Sequence, residues 1–243
     1  MTKEKYQKEI ELIKAQNNTE FELYPLATEI IQPVTEDLSK RYVFNRKRTE
    51  KGNIYYGLSS FPDIAILDKT FEDIDRGKIK EEDWNGLIGS LEIKALDNKL
   101  FSIDEIQKCL SKEKLTKAEG QFIGEILWYK KVLYTNGKEW NHIYIKKYSQ
   151  ELKETILKIV NARIAFEKSE VDKTYQKSEY DWWKEFKEFK EFEANHEIIC
   201  KDIKDYKENE TEEDSIVIIY DCITKNCMDD WEGFIRKINE INW

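Results

Sequence analysis

The chain contains few of the residues that build several common classes of protein. It has only 3 proline, 9 glycine, 4 cysteine and 2 histidine residues among 243. Four scattered cysteines do not form the framework of a disulfide-rich secreted domain, and two histidines argue against a histidine-based hydrolytic triad. Low glycine and proline, with many lysines and glutamates, are typical of a compact, helix-rich domain.

Long apolar runs and nucleotide-binding loops are also missing. No stretch of about 18 apolar residues occurs, so the sequence predicts no membrane span. No Walker A loop and no G-x-G-x-x-G loop occurs, which argues against nucleotide-driven chemistry within this chain. The first residues form a charged amphipathic pattern rather than a signal peptide, so we expect a cytoplasmic protein.

The negative charge is unevenly distributed. Residues 1–150 carry 25 basic and 25 acidic side chains, whereas residues 151–243 carry 15 basic and 24 acidic ones. We therefore predict a core over residues 1–148 and an acidic, helix-rich C-terminal extension with short strands over residues 149–243. Phosphate contacts dominate nucleic-acid affinity, and the neutral core contains basic clusters such as Lys40-Arg41 and Arg46-Lys47-Arg48 that could contact a phosphate backbone.

Two apolar stretches of the core carry charged residues where a strand normally has none. The first is Phe61-Pro62-Asp63-Ile64-Ala65-Ile66-Leu67, and the second is Leu91-Glu92-Ile93-Lys94-Ala95. Side chains alternate between the faces of a strand, so Glu92 and Lys94 share one face while their apolar neighbours pack behind. Two carboxylates can bind a hard cation through oxygen, and a lysine beside them can position a metal-bound water.

The acid-x-lysine triplet alone is not specific. Other triplets match it, among them Asp97-Asn98-Lys99 and Glu151-Leu152-Lys153. The alternative interpretation of Glu92 and Lys94 is an ion pair on a half-exposed strand. Their apolar setting, where charged residues are disfavoured, and the Pro62-Asp63 strand upstream favour a functional site.

The remaining pattern predicts an α/β protein with a mixed sheet and helices on both faces. We expect helices over residues 3–15 and 20–39, followed by strands at 41–46, 54–58 and 61–67. Capping boxes at Ser102 and Thr116 start two further helices. A hairpin with an Asn136-Gly137 turn follows. The C-terminal part predicts short strands and helices, including an aromatic helix over residues 182–192.

These motifs resemble the PD-(D/E)xK nuclease superfamily over roughly residues 20–147. The Gln121 helix, running into a Thr-Asn-Gly turn and an aromatic strand, is most similar to the nuclease domain of type I restriction motor subunits. The resemblance implies a restriction-endonuclease-like core. It also implies that Asp63, Glu92 and the carbonyl of Ile93 bind Mg²⁺ or Mn²⁺, and that Lys94 positions the attacking water.

The resemblance implies further site residues on the flanking helices. A family acid usually comes from the helix before the first strand, and Glu29 fits that position best, with Glu22 as its rival. Gln121 would orient Lys94 or the phosphate, and Tyr129 would be the tyrosine downstream of it. The chain differs from the family in having no helicase motor, and it carries a long acidic insert between Asp63 and Glu92.

The expected function is a metal-dependent endonuclease acting on nucleic acid, with DNA favoured over RNA, in defence or mobile-element biology by analogy. The alternative is a binding protein on a nuclease scaffold, whose acidic C-terminal part contacts a protein partner. That part could also form a homodimer contact. A ribonuclease effector is a third hypothesis. Whether His196, Cys200, Cys222 and Cys227 bind zinc stays open, although buried free cysteines are the commoner outcome.

Overall fold

The structure is a computed structural model that describes residues 1–43, 52–58, 61–72, 78–112, 114–147, 150–169, 197–200 and 217–243. Its strands form one mixed seven-stranded sheet in the order β1-β2-β3-β4-β5-β7-β6. Their bounds are β1 Leu38–Tyr42, β2 Ile64–Asp68, β3 Leu87–Ile93, β4 Lys131–Thr135, β5 Trp140–Lys147, β6 Glu197–Cys200 and β7 Val217–Thr224. The β3–β4 and β6–β7 pairs are parallel, and the other pairs are antiparallel.

Helices cover both faces of this sheet. They are α1 Lys3–Gln16, α2 Glu20–Ile31, α3 Asn53–Tyr56, α4 Glu81–Asn85, α5 Ile103–Ser111, α6 Lys117–Tyr129, α7 Gln150–Ser169 and α8 Trp231–Asn239. Apolar residues of α1, α2 and α8 pack on one face. Those of α3 to α7 pack on the other. The predicted α/β class, with a mixed sheet between helices, is confirmed.

A β-bulge sets which side chains of β3 face which core. Ile66 pairs with Gly89 and Leu67 pairs with Leu87, so the strand carries one extra residue between them. A bulge shifts the alternation of side chains by one position. Beyond the bulge, Leu91 and Ile93 therefore face α1 and α2. Ser90 faces the opposite side, where α6 packs.

The predicted strand at 54–58 is wrong, because residues Asn53–Tyr56 form one helical turn. Ile and Tyr favour strands, but here the backbone carbonyls of Ile54 and Tyr55 accept hydrogen bonds from α6. The donors are the Trp128 indole at 2.7 Å and the Tyr129 hydroxyl at 2.8 Å. Tertiary bonds from a neighbouring helix thus take the place of a strand ladder.

The second predicted helix is also shorter than expected. α2 ends at Ile31 and continues only as a 3₁₀ turn over Gln32–Val34, because Pro33 has no N–H to donate. The predicted strand at 41–46 is observed as β1, displaced toward the N-terminus, and its last three residues lie outside the described ranges.

The described part of the C-terminal extension belongs to the same sheet as the core. β7 pairs with β5 over the length of that strand. Phe234 and Ile238 of α8 are buried in the core that α1 and α2 form. The predicted boundary at 148/149 therefore does not divide the sheet. The predicted aromatic helix over 182–192 lies outside the described residues. No helix in the described ranges is long and apolar enough to cross a membrane.

Candidate active site

The pairing of β2 with β3 places Asp63 opposite Glu92. Ile64 lies opposite Leu91 in this antiparallel pair, so the next step of the ladder joins Asp63 and Glu92. The Asp63 carboxylate is 9% exposed and accepts two hydrogen bonds. One comes from the backbone N–H of Ile93 at 2.6 Å and the other from the hydroxyl of Tyr24. These bonds fix the carboxylate at the end of β3.

Glu92 and Lys94 lie on the sheet face that the alternation predicts. The Lys94 ammonium donates to Glu92 Oε1 at 2.5 Å, and the two side chains are 30% and 16% exposed, respectively. Tyr134 of β4 lies in register with Glu92. The Glu92–Lys94 contact is an ion pair on a partly exposed strand. It also lies beside Asp63, so it is compatible with the catalytic interpretation as well.

Helix α6 adds a carboxylate that sequence reasoning missed. Glu125 is 5% exposed, and its Oε1 accepts a hydrogen bond from the Ser90 hydroxyl at 2.6 Å. Ser90 precedes Glu92 by two residues on the same strand face. Gln121, the predicted site residue, lies one turn before Glu125 on α6 and is half-buried. The sequence did contain a signal for Glu125, because it is a glutamate among the apolar residues of this helix.

Helix α2 supplies Glu20 rather than Glu29 to this region. Glu20 lies one turn before Tyr24, whose hydroxyl bonds to Asp63, so both occupy the same helix face. The charge of Lys94 lowers the pKa of Glu20 and that of Glu92 raises it, so the three side chains lie within electrostatic range. Glu29 lies five residues after Tyr24, which is roughly 140° around the helix.

The structure therefore places neither predicted helix glutamate at the site. The Glu29 carboxylate pairs with the Lys5 ammonium at 3.2 Å on the protein surface. Glu22 is exposed and accepts from the Asn17 side chain at 3.3 Å. Tyr129, the predicted family tyrosine, is fully buried, and its hydroxyl donates to a backbone carbonyl of α3. The heptad spacing of Glu22 and Glu29 puts both on the side of α2 away from Tyr24.

The clustered carboxylates perturb one another. Burial, followed by the charge of Glu92, raises the pKa of Asp63 to about 8. The same two causes raise the pKa of Glu125 well above its usual value. Burial also raises the pKa of Glu20, where Lys94 acts in the opposite direction. Like charges that share a buried site oppose ionisation, and such perturbed groups often mark functional sites.

Lys94 is the cation within this group. Burial lowers its pKa, but the ion pair with Glu92 and the further acids outweigh burial, so its pKa lies above the ordinary value. The side chain therefore stays protonated at neutral pH. A protonated lysine can stabilise anionic oxygen atoms and orient water by donating hydrogen bonds, but it cannot accept the proton of that water.

The oxygen donors suit a hard divalent cation such as Mg²⁺ or Mn²⁺ in their chemistry. Each carboxylate has about four lone-pair positions, and Asp63 uses two of them for Tyr24 and Ile93. Across the described residues, however, no three His, Cys, Asp or Glu side chains form a preformed metal-binding group. The donor set fits the cation, whereas the side chains do not yet converge on one point.

Among the described residues, the side chains that the sequence left open as zinc ligands show no shared centre. Cys222 packs against the core on the α6 face of the sheet. Cys227 is buried in the core on the α1 and α2 face. A sheet separates these two thiols, so they cannot hold one ion. Cys200 lies in β6, and His196 lies outside the described residues.

Comparisons with known proteins returned no match: no family model, no curated protein and no solved structure is similar to this chain.

Proposed function

We propose that the chain is a metal-dependent endonuclease that hydrolyses phosphodiester bonds in nucleic acid, with DNA as the favoured substrate. The observation that carries the proposal is the Lys94–Glu92 ion pair at 2.5 Å beside the buried Asp63, with Glu125 and Glu20 within electrostatic range of that pair. Buried like charges are costly unless a cation offsets them. A bound metal cation would offset the repulsion among these carboxylates and would attract the phosphates of a nucleic acid.

Each side chain has a defined role in this proposal. Asp63 and Glu92 hold the cation, with the Ile93 carbonyl as a third oxygen, as the family resemblance implies. When bound, the cation lowers the pKa of a coordinated water and neutralises phosphate charge. Lys94 donates hydrogen bonds to the attacking water or to the phosphate as negative charge develops on it.

The residues around these ligands position them. Tyr24 and the Ile93 amide hold Asp63 in one orientation. The Ser90 hydroxyl holds the Glu125 carboxylate by a hydrogen bond at 2.6 Å. In this proposal Gln121, one turn before Glu125 on α6, would contact Lys94 or the phosphate. These roles assign positioning to Tyr24 and Ser90, which sequence reasoning did not single out.

The test is cleavage of plasmid DNA, single-stranded DNA and RNA, with Mg²⁺, Mn²⁺ or EDTA. We expect metal-dependent cleavage that Lys94→Ala abolishes. Lys99→Ala is the matched control, because Lys99 ends the chance triplet Asp97-Asn98-Lys99 and forms a surface ion pair at 2.7 Å. It should leave cleavage unchanged. RNA cleavage alone would instead indicate the ribonuclease hypothesis.

The alternative is a non-catalytic binding protein on the same scaffold. The Lys94–Glu92 ion pair at 2.5 Å favours it, because the ammonium already neutralises one of the proposed metal ligands. Isothermal titration of Mn²⁺ into wild type and Glu92→Gln separates the two functions without any activity. Absence of Mn²⁺ binding together with absence of cleavage would refute the nuclease and leave the binding function.

A further inference from the structure

Exposed aromatic side chains lie next to the candidate active site. Across the described residues, three large hydrophobic side chains are exposed: Leu12 at 37%, Phe21 at 55% and Tyr42 at 51%. Single exposed apolar residues are ordinary. Two of these three, however, contact the same buried tyrosine, Tyr24, which bonds to Asp63. Their position is therefore tied to the candidate site.

The three rings form a short ladder. Phe21 and Tyr24 have ring centroids 5.5 Å apart on successive turns of α2, with 57° between their planes. Tyr24 and Tyr42 are 5.9 Å apart and nearly parallel, with 3° between their planes. The Tyr42 hydroxyl lies 3.1 Å from that of Thr28, which holds the ring in place. Tyr42 thus has one ring face on Tyr24 and half of its surface in solvent.

The strand that carries Tyr42 also presents a cation. β1 is the edge strand of the described sheet, paired only with β2. Arg41 lies opposite Ala65 and so shares the sheet face of Asp63, two residues away. The N–H of Val43 donates to the backbone carbonyl of Asp63 at 3.3 Å. The exposed Arg41 side chain, whose guanidinium donates to the Lys40 carbonyl at 3.0 Å, is therefore a diagonal neighbour of the candidate site. Tyr42 lies opposite Ile64 and so occupies the other face, against α2, so that the cation and the ring flank the edge strand on its two sides.

This juxtaposition matches the chemistry that binds unpaired nucleotides. Single-stranded nucleic acid is bound by aromatic rings that stack on its bases and by basic side chains along its backbone. In a duplex the faces of the bases are hidden, so flat exposed rings gain little from it. We propose that Tyr42 and Phe21 form a base-stacking platform that feeds single-stranded or locally unpaired nucleic acid to the active site, with Arg41 on a phosphate. The substrate class rests on the proposed nuclease function.

The test is binding in EDTA, where no metal-dependent cleavage occurs, so that binding and activity are measured separately. The probes are fluorescently labelled single-stranded DNA and RNA of about 20 nucleotides and a duplex of the same sequence. Stacking on an aromatic ring contributes about 1–3 kcal/mol per base, so Tyr42→Leu should weaken single-strand binding about 5- to 150-fold. Phe21→Leu should act in the same direction.

Two variants serve as controls. Tyr42→Phe keeps the ring and loses only the contact with Thr28, so it should bind as the wild type does. Leu12→Ala removes the third exposed apolar side chain, which lies on α1 outside the ring ladder, and should also leave binding unchanged. A 2-aminopurine base in the oligonucleotide should be quenched by wild type and not by Tyr42→Leu, which reports stacking directly.

The outcomes separate this inference from the nuclease proposal. Equal weakening of duplex and single-strand binding by Tyr42→Leu would overturn the platform, as would no weakening at all. If the wild type cleaves duplex DNA and Tyr42→Leu binds single strands as tightly as the wild type does, the platform is overturned and the nuclease is kept. Ring-dependent binding of single strands without any cleavage would keep the platform and overturn the nuclease.

Discussion

Replacing Asp63 by asparagine should stabilise the protein at alkaline pH. Burial, followed by the charge of Glu92, raises the folded-state pKa of Asp63 to about 8 from its ordinary value of 3.8. A carboxyl group with a raised folded pKa binds its proton more tightly in the folded state, so stability falls as pH rises between these two values. The cost reached at about pH 8 is about 5 kcal/mol, from about 1.4 kcal/mol for each tenfold change in proton affinity.

Asparagine removes this cost and keeps part of the local bonding. Its carbonyl can accept from the Ile93 amide, and its amide can donate to the oxygen of Tyr24. Allowing about 1–2 kcal/mol for weaker hydrogen bonds, we expect Asp63→Asn to gain about 3 kcal/mol at pH 8. At about pH 5 the carboxyl cost is only about 2 kcal/mol, so the two proteins should then be nearly equal in stability.

The assay is urea or thermal unfolding of both proteins across this pH range, with and without Mg²⁺. For a protein of this size about 3 kcal/mol corresponds to a Tm change of about 6–12 °C. Mg²⁺ should stabilise wild type at pH 8 by about 2.7 kcal/mol at a hundredfold excess over its Kd. It should not stabilise the variant.

A control on the same strand has the opposite electrostatics. The pKa of Asp68 is lowered by hydrogen bonds from Thr70, so Asp68→Asn should give no gain at any pH. The reasoning about buried charge is refuted if Asp63→Asn is less stable than wild type at pH 8. A gain that does not shrink toward pH 5 would equally contradict it, since the cause would then not be ionisation.

Three further predictions address single contacts. Glu20→Gln should weaken Mn²⁺ binding, measured by titration, whereas Glu29→Gln should not; the reverse order would restore the sequence-based assignment. Gly57→Ala should destabilise the fold by more than about 3 kcal/mol in urea unfolding. The reason is that the φ of Gly57 is +55° and an added Cβ would lie 2.3 Å from the Trp128 ring. A change below about 1 kcal/mol would contradict that packing. Ser102→Ala should cost about 1 kcal/mol through the lost capping box of α5, and unchanged stability would show that the cap contributes nothing.

The acid-and-lysine pattern of β3 was predictable because it depends on local alternation. Glu92 and Lys94 are two residues apart, so any strand there puts them on one face. Asp63 precedes an apolar run, and an antiparallel partner of suitable register suffices to bring it near. The capping boxes of α5 and α6 were likewise observed where the sequence predicts them, since a capping box is a contact between residues three apart.

The remaining site residues depend on packing between distant elements. Glu125 and Glu20 come from helices on opposite faces of the sheet, and the bulge in β3 decides which face Ser90 shares with Glu92. Helical spacing alone could not rank Glu20 above Glu29. That ranking depends on which face of α2 meets the sheet, which is visible only through the contact between Tyr24 and Asp63.

By itself, the sequence determined the α/β class, the polarity of the β3 face and the candidate pair of Glu92 and Lys94, because each follows from the period of a strand or helix. Only the tertiary structure decided that residues beyond 149 complete the same sheet. It also decided that Ile54 and Tyr55 form a helical turn, and which glutamates surround Lys94. The physical reason is that burial, register and the meeting of helix faces are collective properties of packing, which no local repeat contains.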